Sequence, residues 1–475
     1  MKVLILSGNF LRGGLERQIM NQVESLNDQV EFIFAFASYQ KTDLFDRYAV
    51  YHEPAFGDFS VKGFLNSVDS IVNIIHKENI DFIHVHPFDS LFLGMFASQI
   101  ANIPLAFTLH GILSLNYYNN NIVQKILFNY FLSDMDPLVF SVNNHFESVL
   151  RNKYGIKNLV YLPNSLDSSE FAHIKAGKEN HWILVSRLDY LKYFEVEAVI
   201  TNIDRLNIEK IDIYGDGEKR ADLEILVNSL GLTDRISFKG ATSNIIGAYN
   251  QGYKGVIGLG QVVLEGISAS LPVLLAGYGR ITGLVDLALF NRIKGTNFIN
   301  TFEPDVDIDL IGKQILSLDD NYQNYILKDS IIEFDNQNVW NKYLNEIKDK
   351  IFVNNLFIKK LYGKMQVFKE NSEFDNENIF NSEKILNLIK EALAEYPAFN
   401  SDIINLLFEN INLNKKIEYL NAQLKEQILF DYEVAKSENM LLKERIEALE
   451  LKVNNIGLRQ VTNRTISTIK NKFKK

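Results

Sequence analysis

The chain has 475 residues, which exceeds one ordinary hydrophobic core and sets two globular domains plus further elements as the expectation. A hydrophobic content of 47% with 12% aromatics excludes a disordered chain, and a formal net charge of -10 argues against nucleic acid as the main partner. The absence of cysteine excludes disulfides, thiolate metal sites and a cysteine nucleophile.

The opening "MKVLILSGNF" is too short and too quickly polar for a signal peptide and reads as a first buried strand. No apolar run approaches the roughly 18 residues needed to span a bilayer, so a soluble intracellular protein is expected. Up to about residue 165, short apolar strands alternate with helical stretches. "KVLILSG" precedes the helical "LERQIMNQVESLN", and "VEFIFAFA", "DFIHVH", "PLAFTLHG", "DPLVFSV" and "LVYLPNS" follow in turn. That alternation indicates a parallel-sheet α/β domain. After the polar connection "LDSSEFAHIKAGKENH" the rhythm restarts with "WILVSRL", "KIDIYGDG", "RISFKG", "YKGVIGLG" and "LPVLLAG". Two doubly wound domains in tandem are expected, with a ligand cleft between their strand carboxyl ends.

Residues 336–400 read as helical and mixed. From Leu413, apolar or small residues recur every three or four positions through Ile417, Leu420, Leu424 and onward to Ile456, with Asn439 in the seam. This describes interrupted heptads, hence a coiled coil that makes a homo-oligomer through 413–456; the alternative is a long helix packed on the globular part. Residues 459–475 hold six Lys or Arg and no acid, with Ile466, Ile469 and Phe473 on one helical side. They suit a peripheral anionic-membrane contact or a disordered basic tail.

Three stretches could carry chemistry. The glycines of "SGNFLRGGLERQ", Gly13 and Gly14, follow the first strand and open a helix, where backbone N–H groups and the helix N-terminus favour an anion. The spacing is not that of a dinucleotide site. "VSRLDYLK" sends Arg187 from a strand end with Lys192 five residues on, so two cations could meet a diphosphate; a solvated surface loop is the plain alternative. "IYGDGEKRADLE" adds Gly215 and Gly217, and Gly258, Gly260 and Gln261 then precede Glu265 at the start of a helix. A carboxylate there is either a dipole partner or an acceptor for ribose hydroxyls. His84 and His86 share a strand face, but no third metal ligand lies nearby in sequence, so structural roles are expected for them.

Taken in order, "GGLER", "HVHP", "TLHG", "LPNSLD", "VSRLDYLK", "IYGDGEKRADLE", "GLTDRISFKG" and "LEGISASLPV" resemble the retaining glycosyltransferases of family 4, across residues 1–335. The resemblance implies an α/β protein of GT-B architecture, two tandem Rossmann-like doubly wound domains; the residue patterns beyond them add a helical region and a C-terminal coiled coil. The corresponding boundaries are 1–168 for an acceptor-side domain and 169–335 for a nucleotide-sugar-binding domain. A helical region at 336–400, a coiled coil at 401–457 and a basic tail at 458–475 follow. The implied activity is transfer of a sugar from a nucleotide-diphosphate donor, with retention and with no cofactor or obligatory metal. The basic tail points to a glycan or lipid-linked acceptor and the Asn, Lys and Ile usage to a bacterium, hence an expected role in bacterial surface polysaccharide or glycoconjugate synthesis. The expected location is cytoplasmic or, through the basic tail, peripheral at the inner face of the membrane.

By the same resemblance, Arg187 and Lys192 hold the diphosphate and His110 lines the cleft near the transferred sugar. Gly13 and Gly14 present amides, and Glu265 is the second acid of a Glu-x7-Glu motif, the one that contacts ribose. Gly215, Gly217, Gly258 and Gly260 complete the donor edge. The first acid of the motif is replaced by Ile257, and no Asp or Glu lies between Asp234 and Glu265 to substitute for it. Ser165 and Leu271 also replace family glycines. "GLGQVVLEG" is similar to a G-x-G-R-x-x-x-E version of the segment with Gln261 in the Arg position, so glycine amides, Gln261 or the Arg280 loop "GYGRITG" are expected to read the sugar end. A catalytically degenerate GT-B scaffold acting through its coiled coil is the alternative.

Overall fold

The computed structural model describes residues 1–395, apart from segments at 11–13, 40–45, 87, 112–113, 115–116, 119–120, 129–131, 243, 300–302, 304–305, 319–324 and 371–376, together with Glu409. The coiled-coil seam 413–456 and the basic tail 458–475 lie outside the described residues.

The first sheet is built from β1 (Lys2–Phe10), β2 (Glu31–Tyr39), β3 (Ala49–His52), β4 (Phe82–Val85), β5 (Leu105–Leu109), β6 (Leu138–Ser141) and β7 (Leu159–Tyr161). Its order is β3-β2-β1-β4-β5-β6-β7 and every pair is parallel. Parallel strands need covered faces, and β1 shows why these residues comply: Val3, Leu4, Ile5 and Leu6 are all fully buried, with no polar alternation. The crossovers α1 (Gly14–Leu26), α2 (Val61–Glu78) and α3 (Ser90–Ala101) provide the covering. α2 starts where the Ser60 side chain accepts the Gly63 N–H and stops at Asn79 in the left-handed region. α3 is apolar nearly all round and is buried from Ser90 to Gln99.

The second sheet comprises β8 (His181–Val185), β9 (Lys210–Tyr214), β10 (Ile236–Gly240), β11 (Gly255–Gly258), β12 (Val273–Gly277) and β13 (Arg280–Leu284), in the order β10-β9-β8-β11-β12-β13. All pairs are parallel except β12 with β13. β13 corrects the sequence reading, which took "GYGRITG" as a loop. Tyr278 (φ 50°) and Gly279 (φ 74°) form a two-residue turn with both central φ values positive, the type that matches strand twist and returns the chain as a hairpin. The order reverses between β1 and β4 in one sheet and between β8 and β11 in the other, and ligands of such sheets bind beyond the strand carboxyl ends at these points.

The chain crosses between the sheets twice, side by side. The Leu166 N–H donates to Phe334 O (3.0 Å) and the Asn336 N–H to Leu166 O (3.0 Å). The helix Asn336–Lys348 then returns to the first sheet, where Val339, Trp340, Tyr343, Leu344 and Ile347 complete its core. Beyond it, the helix Leu356–Glu370 sets Tyr362, Gln366 and Lys369 on Asp69 of α2, the lysine at 2.9 Å. No helix among the described residues is long and apolar enough to cross a membrane.

Candidate functional site

α1 leaves the carboxyl end of β1, and the helix Gln261–Ser268 leaves that of β11. Their first turns meet. Arg17 Nη1 lies 2.9 Å from Glu265 Oε1, and the Gln18 amide donates to Gln261 Oε1 at 3.3 Å. The carboxyl edges of the two sheets therefore face each other across one cleft. Ser165, on the first crossing, is the knot: its N–H donates to Gln18 Oε1 (2.7 Å), and its carbonyl accepts from Gln18 (2.9 Å), Asn21 (3.1 Å) and Gln261 (3.0 Å). The Ser165 hydroxyl adds a third contact to Gln18 at 3.2 Å. Ser165 is fully buried as well as bonded.

Glu265 has both oxygens engaged, one by Arg17 and the other by the buried Tyr249 hydroxyl at 3.1 Å. Burial raises its pKa, and the Arg17 charge and the Tyr249 bond only partly oppose that. Gln261 spends both ends of its amide on the junction. Both residues thus sit at the cleft, tied to the first domain.

Arg187 and Lys192 emerge after β8. Arg187 is well exposed and pairs with Asp189 at 3.0 Å. Lys192 is held more tightly, 3.2 Å from Glu195 and 5.2 Å from the Tyr278 ring centroid. Glu195 is buried and also accepts from the Ser186 hydroxyl (2.7 Å) and the Tyr278 N–H (3.4 Å). Sequence reasoning missed both Glu195 and Tyr278. The available signal was Glu195 three residues after Lys192 at a helix start, a spacing that brings side chains together. Gly215 and Gly217 serve this corner by close approach. A Cβ on Gly215 would stand 1.7 Å from Ser186 O, and one on Gly217 2.5 Å from Leu188 O.

In the first domain, the parallel register that pairs His84 with Ala106 brings His84 of β4, and His86 just past its end, beside His110 just past the end of β5. Gln22 Nε2 donates to His84 Nδ1 (3.2 Å), so His84 carries its proton on Nε2 and gives it to Thr108 Oγ1 (2.8 Å). His86 Nδ1 lies 3.1 Å from His110 Nε2, and His86 Nε2 is buried without a partner. A buried orphan N–H costs more than an idle lone pair, which places the His86 proton on Nδ1. His110 then accepts at Nε2 and carries its own proton on Nδ1. Burial lowers the pKa of His110 to about 4 and that of His84 to about 3, so both are neutral donors. Among the described residues, no group of three or more His, Asp or Glu is placed to hold a metal.

Residues 12–170 match the sequence profile of Glycosyltransferase Family 4. No curated protein matches the chain. Among solved structures it is similar to a glycosyltransferase from Rickettsia africae, with 19% identity, a TM-score of 0.57, and coverage of 73% of this chain and 98% of that one. HepE of Anabaena in complex with UDP shares 17% identity at a TM-score of 0.54, covering 74% of this chain and 100% of that one. The lipopolysaccharide outer core galactosyltransferase WaaB, in its apo form, shares 14% identity at a TM-score of 0.53, with 74% and 100% covered. Two parallel-sheet domains facing edge to edge, matched over the full length of such structures, decide the architecture.

The fold is GT-B.

Within this GT-B frame the remaining sequence candidates divide. Gly14 opens α1 with nothing within 4 Å of an added Cβ, so its backbone borders open space; Gly13 lies outside the described residues. Gly260 caps the helix Gln261–Ser268 at φ 64° and donates its N–H to Phe298 O at 3.1 Å. Gly258 is a packing position, since a Cβ there would meet Val262 Cγ1 at 2.8 Å. Arg280 is half-buried at the start of β13, paired in register with Gly277. Ile257 is fully buried in β11 among Leu184, Leu274 and the apolar side chains around them. A carboxylate at position 257 would sit in the sheet's core rather than in the cleft.

Proposed function

We propose that the chain is a glycosyltransferase moving a sugar from a nucleotide-diphosphate donor to a glycan or lipid-linked acceptor, with retention and without an obligatory metal, in bacterial surface polysaccharide or glycoconjugate synthesis. The observation that carries the reading is the placement of Arg187 and the Lys192–Glu195–Tyr278 corner at the carboxyl ends of the second sheet, where doubly wound domains bind phosphorylated ligands. The match of residues 12–170 and the likeness to a GT-B structure solved with UDP support it. In this mechanism the two cations stabilise charge as it develops on the departing phosphate. Gly14 offers its amide at the start of α1, and neutral His110 donates a hydrogen bond near the transferred group. The protein acts by positioning and electrostatics, with acceptor and donor meeting on one face.

Arg187→Ala cuts turnover by orders of magnitude in a folded protein; near-normal sugar transfer by that variant overturns the assignment. A donor-hydrolysis screen across nucleotide sugars identifies the base and sugar. The enzyme works in the cytoplasm, oligomerises through 413–456 and touches anionic membrane through 459–475. Light scattering on a chain truncated after Asn400 tests the oligomer, which becomes monomeric. The engagement of Glu265 and Gln261 in interdomain bonds favours one other reading, a GT-B scaffold that has lost transfer. Calorimetry separates the two, since a scaffold binds no nucleotide or nucleotide sugar.

A further inference from the structure

Tyr190, Leu191, Phe194 and Tyr278 are 62%, 56%, 49% and 53% exposed, although soluble surfaces usually scatter such residues singly. Here they are contiguous. The Tyr190 and Phe194 rings lie edge to face with centroids 6.1 Å apart. A Cβ on Gly279 would stand 3.5 Å from Phe194 Cβ, so the β12–β13 turn rests on Phe194 and brings Tyr278 beside it. Tyr278 adopts φ 50°, a left-handed conformation that is unfavourable for a bulky side chain. Burial of its ring does not explain this, because the ring is half exposed. The patch adjoins the cleft, since the Tyr278 ring also covers Lys192.

We propose that this surface is a subsite for a neutral carbohydrate, the unreacting part of an acceptor glycan that extends from the first domain onto the second. The charges around it select the class of ligand. Three of the bordering cations already have a carboxylate: Arg187 with Asp189 (3.0 Å), Lys192 with Glu195 (3.2 Å) and Lys219 with Asp222 (2.7 Å). Glu218, which accepts the Tyr190 N–H at 3.0 Å, is an additional negative charge. An anionic lipid headgroup or membrane requires surplus positive charge, which this patch does not offer. A sugar presents apolar C–H faces to aromatic rings and hydroxyls to carboxylates, and the patch supplies both: open rings flanked by Asp189 and Glu218.

The word acceptor rests on the glycosyltransferase reading, whereas carbohydrate binding does not. The test uses the full chain with UDP present. Saturation-transfer NMR against a panel of neutral oligosaccharides detects binding, and Tyr190→Ala, Phe194→Ala and Tyr278→Gly each weaken it by about tenfold or more. Tyr190→Ala and Phe194→Ala leave UDP affinity and melting temperature unchanged. Tyr278→Gly relieves the left-handed strain and stays folded. Absence of oligosaccharide binding by the parent chain overturns the proposal, as does binding that the three variants leave intact. Patch-dependent binding of phosphatidylglycerol vesicles without glycan binding also overturns it. Patch-dependent glycan binding with no UDP binding sustains the subsite and defeats the donor reading instead.

Discussion

Arg17 Nη1 and Glu265 Oε1 lie 2.9 Å apart, joining the first helix of one domain to the cleft helix of the other across 248 residues of sequence. Glu265 is almost fully buried while Arg17 is about a third exposed, so removing the arginine strands a carboxylate rather than deleting a surface pair. Arg17→Met should cost about 2 kcal/mol at pH 8, less than the roughly 3–5 kcal/mol of a fully enclosed pair because water screens the arginine side. The cost depends on pH in a defined direction. Burial already raises the Glu265 pKa, and without Arg17 it rises further. A carboxyl with a raised folded pKa favours the folded state at low pH and loses that advantage as pH climbs through the folded value. The difference between parent and variant should therefore shrink at pH 5. Chemical denaturation at both pH values measures it, and an equal cost at both would remove the charge from the explanation.

The Lys192–Glu195 pair separates folding from binding. Lys192→Met leaves Glu195 buried with only the Ser186 hydroxyl and the Tyr278 amide, and should cost about 1–3 kcal/mol. Adding Glu195→Gln removes the stranded charge and should restore most of that stability. UDP affinity should stay roughly 10- to 100-fold below the parent in both, because the charge-assisted bond to phosphate is gone in both. Denaturation and calorimetry on the three proteins give the answer. Recovery of UDP affinity in the double variant would show that Lys192 does not touch the ligand.

Most strands of both sheets are legible because they are short, largely apolar runs between helical stretches, as in β1, β8 and β12. β3 and β13 are not. β3 is a four-residue edge strand with no buried residue, and β13 depends on two positive φ values in a turn where Tyr278 is not a residue that announces one. Among the candidate site residues, Arg187 is legible because it follows the apolar run of β8, Lys192 by its spacing from Arg187, and His110 only through the resemblance of "TLHG". The interdomain contacts are not legible, since Glu265 meets Arg17, and Gln18 meets Ser165, only once two domains have folded against each other. Ile257 was noticed as a missing acid, yet only its burial in the sheet core shows that the position does not face the cleft.

Two glycines near the cleft should respond oppositely to a single added methyl. In Gly215→Ala the Cβ would stand 1.7 Å from Ser186 O, which forces the β8–β9 ends apart. The variant should lose more than about 3 kcal/mol or fail to accumulate. Gly14→Ala meets no atom within 4 Å and should be as stable as the parent or more so, because alanine favours a helix. If the Gly14 amide faces the donor, the same methyl should weaken UDP binding by about tenfold, since it stands where the phosphate must approach. Unchanged UDP affinity in a folded Gly14→Ala chain would place the donor elsewhere.

The row formed by His84, His86 and His110 should make the protein acid-sensitive well above the range where carboxylates titrate. Burial lowers all three pKa values, His84 to about 3, His110 to about 4 and His86 well below its ordinary value. The unfolded chain binds these protons near pH 6.5 while the folded chain refuses them, so unfolding takes up protons and stability falls with pH. The loss should begin near pH 6.5 and continue down toward pH 4, with a slope of up to about 4 kcal/mol per pH unit if all three contribute. His84→Phe removes one of the three and should flatten the slope by about a third, at the expense of the Gln22 and Thr108 bonds. Melting temperatures between pH 4.5 and 7.5 for the parent and this variant test the argument. Nitrogen-15 NMR of the imidazoles at neutral pH tests the tautomers, with His110 showing its proton on Nδ1. A parent protein whose stability is flat across that range would mean that the buried row accepts protons in the folded state.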